Sequence, residues 1–306
     1  MSIPGAARAI SLSFLATAVL IAAPTLAADD WPDRLEVLEP SDGWNIDFGA
    51  DRCRLVRLFG EGDNRHLLMF EQAGPGTSFG LTLSGPRLRQ FRQIITRLGF
   101  NPDSGFPRAS HQWGEVEGFG RAAIFSRATI NGASASAADQ DGLRTLPQID
   151  LEEAAQIERI VFGHGGNAVS FETGELSAPL QALNACAADF IRDWGLDPDK
   201  HERFFQVANW LNEQEVTRRI QRKFTRAALN RGEQAVFRMR VVVEIDGSVS
   251  ECKLVESTVA QRINSNACDE MEDAVFDPAL DSDRNPMRSF YTTNIIYRIN
   301  ESDAHG

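Results

Sequence analysis

The sequence has few residues of the kinds that hold metals or form redox motifs. Its 306 residues include five histidines and four cysteines. No two histidines have the i, i+4 spacing with which a helix chelates a metal. No two cysteines have the C-x-x-C spacing of zinc ribbons and thioredoxin-like sites. We therefore expect the protein to have no metal and no cofactor.

The chain also lacks the excess of positive charge that nucleic-acid binding requires. Its formal net charge at pH 7 is -12, whereas a protein that neutralises phosphate groups needs a basic surface. Apolar residues make up 42% of the chain and charged residues 24%, which is typical of a globular protein. We therefore expect no nucleic-acid partner, and the acidity serves solubility.

No apolar run after the N-terminus is long enough to span a membrane. At the N-terminus, Arg8 is the only charge before an apolar run from Ala9 to about Ile21, and small residues follow Pro24. This order predicts a signal peptide over 1–28, cleaved on export. A retained membrane anchor is the competing interpretation, because the apolar stretch approaches spanning length. After cleavage we expect no stable membrane insertion.

The remaining chain changes character near residue 200. Short apolar runs separated by Gly-rich turns predict strands over 44–174, and apolar residues at helical spacing predict a helix over 177–194. These patterns predict a β-rich N-terminal domain over 29–200, which ends in that helix. A second domain is predicted over 201–306.

The second domain has the clearest pattern. A basic helix is predicted over 210–231, and the alternating strand 237–245 leads through Asp246-Gly247 into a return strand, 248–256. A helix over 264–275 and a last strand over 290–299 follow. The predicted fold class is therefore α+β, with the order helix–strand–strand–helix–strand around a three-stranded sheet in the second domain.

The even number of cysteines in an exported chain predicts two disulfides. Three pairings are possible, and we favour Cys53–Cys186 with Cys252–Cys268, since each then lies within one predicted domain. The second pair also joins a predicted strand to the helix expected to pack over it.

One motif resembles a catalytic one. Residues 76–80, GTSFG, match the G-x-S-x-G of a hydrolase nucleophile elbow, which needs a helix after the serine. Here a predicted strand follows Ser78. We therefore interpret the motif as a turn and expect no enzymatic activity.

Residues 220–299 resemble the C-terminal domain of TonB-type energy transducers, over about 80 residues. The resemblance rests on the order of loose motifs, which are Phe224, Ala227-Ala228, Gly232, the hairpin with Asp246-Gly247, Val255-Glu256-Ser257 and Phe276-Asp277-Pro278-Ala279. The resemblance implies a periplasmic location and a last strand at a sheet edge. In the family that edge pairs with an extended peptide of an outer-membrane receptor, by strand addition.

By this resemblance, the peptide-binding edge lies over 290–299. The residues implied are Phe290, Tyr291, Thr293, Ile295, Tyr297 and Ile299. An edge strand that binds nothing and is merely protected is the alternative interpretation.

The chain departs from the transducers in three ways. It has Phe224-Thr225 where the family often has Tyr-Pro, it lacks the long Pro-rich spacer, and its N-terminal segment is predicted to be cleaved. The sequence therefore predicts a periplasmic protein that binds protein or peptide, with segments of TonB-dependent receptors as candidate partners. The alternatives are a membrane-anchored atypical transducer, an enzyme with its site in the N-terminal domain, and a structural envelope protein.

Overall fold

The computed structural model describes residue 32 and residues 34–93, 95–100, 105–130, 142–222, 235–256 and 265–297. The predicted signal peptide over 1–28 lies outside the described residues, as do Phe224, Ala227-Ala228, Gly232 and Ile299. Statements about the structure below refer to the described residues.

The first part of the chain, 34–196, is called the first lobe. Its strands are β1 (Arg34–Leu38), β2 (Asn45–Phe48), β3 (Cys53–Phe59), β4 (His66–Gln72), β5 (Phe79–Ser84), β6 (Ile95–Gly99), β7 (Arg108–Ser110), β8 (Gln112–Val116), β9 (Gly120–Ala128), β10 (Arg144–Thr145), β11 (Ile160–His164) and β12 (Asn167–Phe171). Its helices are α1 (Leu151–Ala154) and α2 (Ser177–Asp193), with two short 3-10 helices at Gly62–Asn64 and Pro86–Gln90.

Two sheets and α2 enclose the core of the first lobe. One sheet has six strands in the order β2-β3-β4-β5-β9-β8, and the other has five in the order β1-β12-β11-β6-β7. Strand β3 buries Cys53, Leu55 and Phe59, while β5 is buried along its whole length. Each fully buried Leu or Phe stabilises the fold by roughly 2 kcal/mol. The predicted β-rich character of this region is confirmed.

The rest of the chain, 197–297, is called the second lobe. Its strands are β13 (Arg203–Gln206), β14 (Asn209–Trp210), β15 (Ala235–Val243), β16 (Val249–Glu256), β17 (Phe276–Asp277), β18 (Ala279–Asp281), β19 (Pro286–Met287) and β20 (Ser289–Tyr297). Its helices are α3 (Pro198–Glu202), α4 (Glu213–Arg222) and α5 (Ala267–Met271).

The predicted α+β fold class is wrong. Across the described residues the chain is rich in strands, which are arranged in five sheets, and helices are the smaller part. In the second lobe, α5 ends at Met271 rather than at residue 275, and β17, β18 and β19 lie between it and the last strand. The expected order of helix, two strands, helix and strand is therefore not what the structure shows. Strands of two or three residues pair with partners far along the chain, so local periodicity does not reveal them.

The long strands of the second lobe form a three-stranded sheet in the order β16-β15-β20. The hairpin between β15 and β16 turns at Gly247, which has φ +83°. Asp246 does not share this conformation, so glycine alone in this turn has a positive φ. A Cβ at Gly247 would collide with the carbonyl oxygen of Phe276, which adds a packing reason for glycine there.

The two lobes are packed together rather than joined only by a linker. Strand β10 of the first lobe pairs with β13 of the second, in a four-stranded sheet with β18 and β19. One face of the three-stranded sheet packs on the core of its own lobe, through residues such as Met239 and Val241. The other face turns Val242 and Phe290 toward the core of the first lobe.

Among the described helices, none has the length and apolar character needed to cross a membrane.

Candidate functional site

A cleft of about 550 Å³ lies between the two lobes. Its first wall is the loop that follows β4, residues 73–78, together with Asp51 and Arg127. Its second wall is the three-stranded sheet, including β20 from Ser289 to Asn294. Leu146, Pro147 and the segment 204–208 close one side. The volume falls within the range of common ligand sites.

Among the described residues, strand β20 lies at an edge of its sheet, and its residues line this cleft. In the described part of the chain it pairs only with β15, antiparallel, over its whole length from Ser289 to Tyr297. In an antiparallel pair, alternate residues direct their backbone N–H and C=O groups away from the partner strand. About half of the backbone groups of β20 therefore face away from β15, where a further strand would pair.

The side chains predicted to form the binding edge divide between the two faces of the sheet. Tyr291, Ile295 and Tyr297 pack on the core of the second lobe, and Thr293 shares their face. Phe290 is on the opposite face, where its ring lies 5.3 Å from that of Trp194. Most of these side chains hold β20 in place, so its backbone is the part that remains open to a partner. Their role in binding stays a prediction.

The wall of the cleft contains a buried ionic cluster that joins the lobes. Glu71 of β4 accepts a hydrogen bond from Arg238 of β15 at 3.4 Å, and from Arg52 and Arg54 at 3.3 and 3.2 Å. Burial lowers the pKa of Arg238, and the Glu71 carboxylate opposes that shift. The guanidinium lies where a Cβ of Gly80 would be, so glycine at residue 80 leaves room for it beside β5.

Three further contacts fix the three-stranded sheet against the first lobe. Asn294 of β20 donates from Nδ2 to the carbonyl oxygen of Ser126 at 3.0 Å. Lys253 of β16 forms an ion pair with Asp51. The guanidinium of Arg240 stacks over the ring of Trp194 at 4.7 Å, which contributes about 1 kcal/mol or more when desolvated. Together with the Glu71 cluster, these contacts set the width of the cleft.

Contacts with Gln72 and Trp194 hold the loop 73–78 in position. Gln72 is buried, and its Nε2 donates to the carbonyl oxygens of Gly76 and Ser78. Gly74 lies directly against the ring of Trp194. The Oε1 atom of Gln72 has no hydrogen-bond partner within the described residues, and neither has Nε of Arg240. Both atoms belong to residues that line the cleft.

The cleft also contains a serine–histidine pair. His201 Nε2 lies 3.0 Å from Ser289 Oγ, and His201 Nδ1 lies 2.6 Å from the carbonyl oxygen of Asp197. Burial lowers the pKa of His201, so the ring is neutral at pH 7. His201 and Ser289 are 2% and 4% exposed, which leaves the hydroxyl closed to a substrate. The pair therefore ties α3 to the first residue of β20.

The pairing of the four cysteines is confirmed. Cys53 of β3 is bonded to Cys186 of α2, with Cα atoms 6.1 Å apart. Cys252 of β16 is bonded to Cys268 of α5, with Cα atoms 5.4 Å apart. Two disulfides are compatible with an exported protein, since cytosolic thiols are kept reduced. The periplasmic location itself stays a prediction.

Comparison with protein-family models, with curated proteins and with solved structures gives no match for this chain. The resemblance to TonB-type transducers therefore rests on the sequence motifs alone.

Several residues of the cleft were not anticipated from the sequence. The run Ala73-Gly74-Pro75-Gly76 indicated only a loop, and nothing in it indicated contact with Trp194 or β20. Arg127 lies in a region predicted to form strands, and Val207 lies near the start of the predicted second domain. They become neighbours of β20 only through the packing of the lobes, for which the sequence has no local signal.

Proposed function

We propose that this protein binds extended segments of a partner protein by adding a strand to β20 within the interlobe cleft. The observation that carries the proposal is the edge position of β20, which pairs only with β15 among the described residues and whose residues line the cleft. Backbone pairing supplies affinity in this mode, and neighbouring side chains supply selectivity.

One feature of β20 supports this proposal over a merely protected edge. Natural edges are usually shielded by short strands, charged side chains or proline. Strand β20 has nine residues, Ser289–Tyr297, with no charge and no proline among them.

The ionic cluster and the disulfides suit a binding function. They hold both walls in place before a partner arrives, which reduces the entropy lost on binding. A membrane-anchored transducer and an enzyme gain no specific support from the geometry of the cleft.

The test is a selection of ten-residue peptides from a random displayed library on the immobilised protein, followed by titration of the selected peptides. Thr292 and Thr293 are adjacent in β20, so one N–H points toward β15 and the other away from it. Proline at either position removes the backbone N–H of that residue, whereas alanine keeps it. Thr292→Pro and Thr293→Pro are compared with Thr292→Ala and Thr293→Ala.

We expect one proline variant to keep its unfolding midpoint and to lose peptide binding, while the other loses stability because its bond to β15 is broken. Both alanine variants should bind. If the proline variant that keeps its unfolding midpoint binds as tightly as its alanine counterpart, strand addition at β20 is contradicted. Sedimentation velocity without peptide shows whether a second copy of the chain occupies the edge instead.

A further inference from the structure

Most of the charged side chains that line the cleft are paired with a side chain of opposite charge. The charged residues that line it are Asp51, Arg127, Arg238, Arg240 and Lys253. Three of the four cations have a carboxylate partner, since Arg238 pairs with Glu71, Arg240 with Glu251 and Lys253 with Asp51. The opposite charges within each pair offset one another, so these pairs exert little electrostatic attraction on a ligand.

Arg127 is the cation that remains. It is exposed at the end of β9, and no ion pair is formed by it within the part of the chain that the structure describes. The carbonyl oxygen of the preceding residue, Ser126, accepts the hydrogen bond from Asn294, so the backbone next to Arg127 lies against β20. Tyr291 of β20 lies near enough to Arg127 for its positive charge to lower the pKa of the Tyr291 hydroxyl. Burial and the negative charge of Glu213 act in the opposite direction, and the pKa is raised overall.

Two aliphatic side chains of the cleft are also exposed. Val207, after β13, is 51% exposed, and Ile296, near the end of β20, is 40% exposed. Both line the cleft with Arg127. Covering such side chains contributes roughly 25 cal/mol for each Å² of apolar surface removed from water.

From this arrangement we propose that the cleft selects extended segments in which a carboxylate side chain pairs with Arg127 and aliphatic side chains cover Val207 and Ile296. The proposal rests on the proposed function, and it specifies the chemistry of the partner. In this proposal, Arg127 of the first lobe selects the charge of a segment that is bound to the second lobe.

The overall charge of the protein does not favour such a segment. The chain has a formal net charge of -12, so an acidic segment is repelled at long range. Charges are screened over about 8 Å at physiological ionic strength, so selection depends on charges within the cleft. Among these, Arg127 is the one that no carboxylate of the described residues neutralises.

The test uses the random ten-residue library on three immobilised proteins, which are the wild type, Arg127→Glu and Arg218→Glu. Arg218 is an exposed arginine of α4 that does not line the cleft, and the two variants have the same net charge. Selected peptides that contain one Asp or Glu are then titrated beside versions with Asn, Gln or Lys at that position.

We expect the wild type and Arg218→Glu to enrich Asp and Glu, and Arg127→Glu to enrich Lys and Arg. Replacing the acidic residue by its amide should weaken binding to the wild type about fivefold, as for a well-placed surface ion pair of about 1 kcal/mol. The difference in affinity between the acidic peptide and its amide version should shrink in 1 M NaCl, where the screening length is about 3 Å.

If the wild type and Arg127→Glu enrich the same charge, the assignment of Arg127 is overturned, while selected peptides that bind at β20 would still support strand addition. If no peptide is enriched on any of the three proteins, the proposed function itself fails. Enrichment of acidic peptides without aliphatic residues would overturn the part assigned to Val207 and Ile296.

Discussion

Arg238 of β15 and Glu71 of β4 form an ion pair across the two lobes, with Arg238 Nε 3.4 Å from Glu71 Oε1, although 167 residues separate them in the chain. Both side chains are largely buried, and Arg52 and Arg54 approach the other oxygen of the same carboxylate. Removing one partner of a buried pair leaves a charge without compensation, which costs far more than the loss of a surface pair.

Glu71→Gln should therefore lower the free energy of unfolding by about 3 kcal/mol, because it leaves the buried guanidinium of Arg238 without its counter-charge. The measurement is urea unfolding at pH 7. Asp189→Asn is the matched control, since Asp189 and Arg192 form a largely exposed pair. The control should change stability by less than about 0.5 kcal/mol. Equal effects of the two substitutions would show that the cluster does not hold the lobes together.

Gly80→Ala, a substitution in β5, tests the position of Arg238 in the same ionic cluster. The guanidinium of Arg238 occupies the position of the missing Cβ, so the substitution should displace Arg238 and lower stability by about 2 kcal/mol. Gly43→Ala is the control, because no atom lies within 4 Å of a Cβ there. Thermal unfolding of both variants checks the prediction. A Gly80→Ala variant as stable as Gly43→Ala would mean that Arg238 moves aside without cost.

The two disulfides should differ in their contribution to stability. The cysteines of Cys252–Cys268 are 16 residues apart, and those of Cys53–Cys186 are 133 residues apart. Chain entropy predicts a loss of about 3 kcal/mol for Cys252→Ser with Cys268→Ser, and about 5 kcal/mol for Cys53→Ser with Cys186→Ser. Denaturant unfolding of the two double variants measures the difference. A larger loss for the shorter loop would contradict the entropic account.

His111 should make the protein sensitive to acid. Burial, with a contribution from Arg121, lowers the pKa of His111 from its ordinary 6.5 to about 4. The folded state therefore binds fewer protons than the unfolded state between these values, and stability falls as the pH drops from about 6.5 to 4. The loss from this residue should approach about 3 kcal/mol at pH 4.

His111→Gln should reduce the slope of unfolding free energy against pH in that window. His164→Gln is the control, because His164 is exposed in the turn between β11 and β12. His66 and His201 are also buried with lowered pKa values, so part of the slope should remain. An unchanged slope in His111→Gln would contradict the assignment to His111.

The features that were predicted correctly depend on local pattern. The helical spacing of α2 reflects one buried face, which sequence periodicity reports directly. The strands of the first lobe were predicted from short apolar runs and β15 from alternation, although β15 is buried on both faces. The cysteine pairs followed from keeping each bond within one predicted domain. The edge position of β20 among the described residues came from the family resemblance, not from the pattern of its residues.

The features that were missed depend on contacts between distant segments. Strands β17 to β19 are too short to show a period, so no strand was predicted between the helix over 264–275 and the last strand, and the fold class was wrong. The cleft arises because Glu71 meets Arg238 and Gly74 meets Trp194, and no pattern near any of these residues indicates its partner. The predicted edge segment lies in β20 as far as Tyr297, and its role in binding stays a prediction. Arg127 and Val207 were not found.

Hydrogen exchange of the backbone amides of β20, with and without a selected ten-residue peptide, tests strand addition most directly. The peptide should slow exchange at alternate residues between Ser289 and Tyr297, namely those whose N–H groups point away from β15, because these donors gain a partner on binding. Amides that already pair with β15 should change little. Exchange along β20 that is unaffected by a peptide known to be bound would contradict the account.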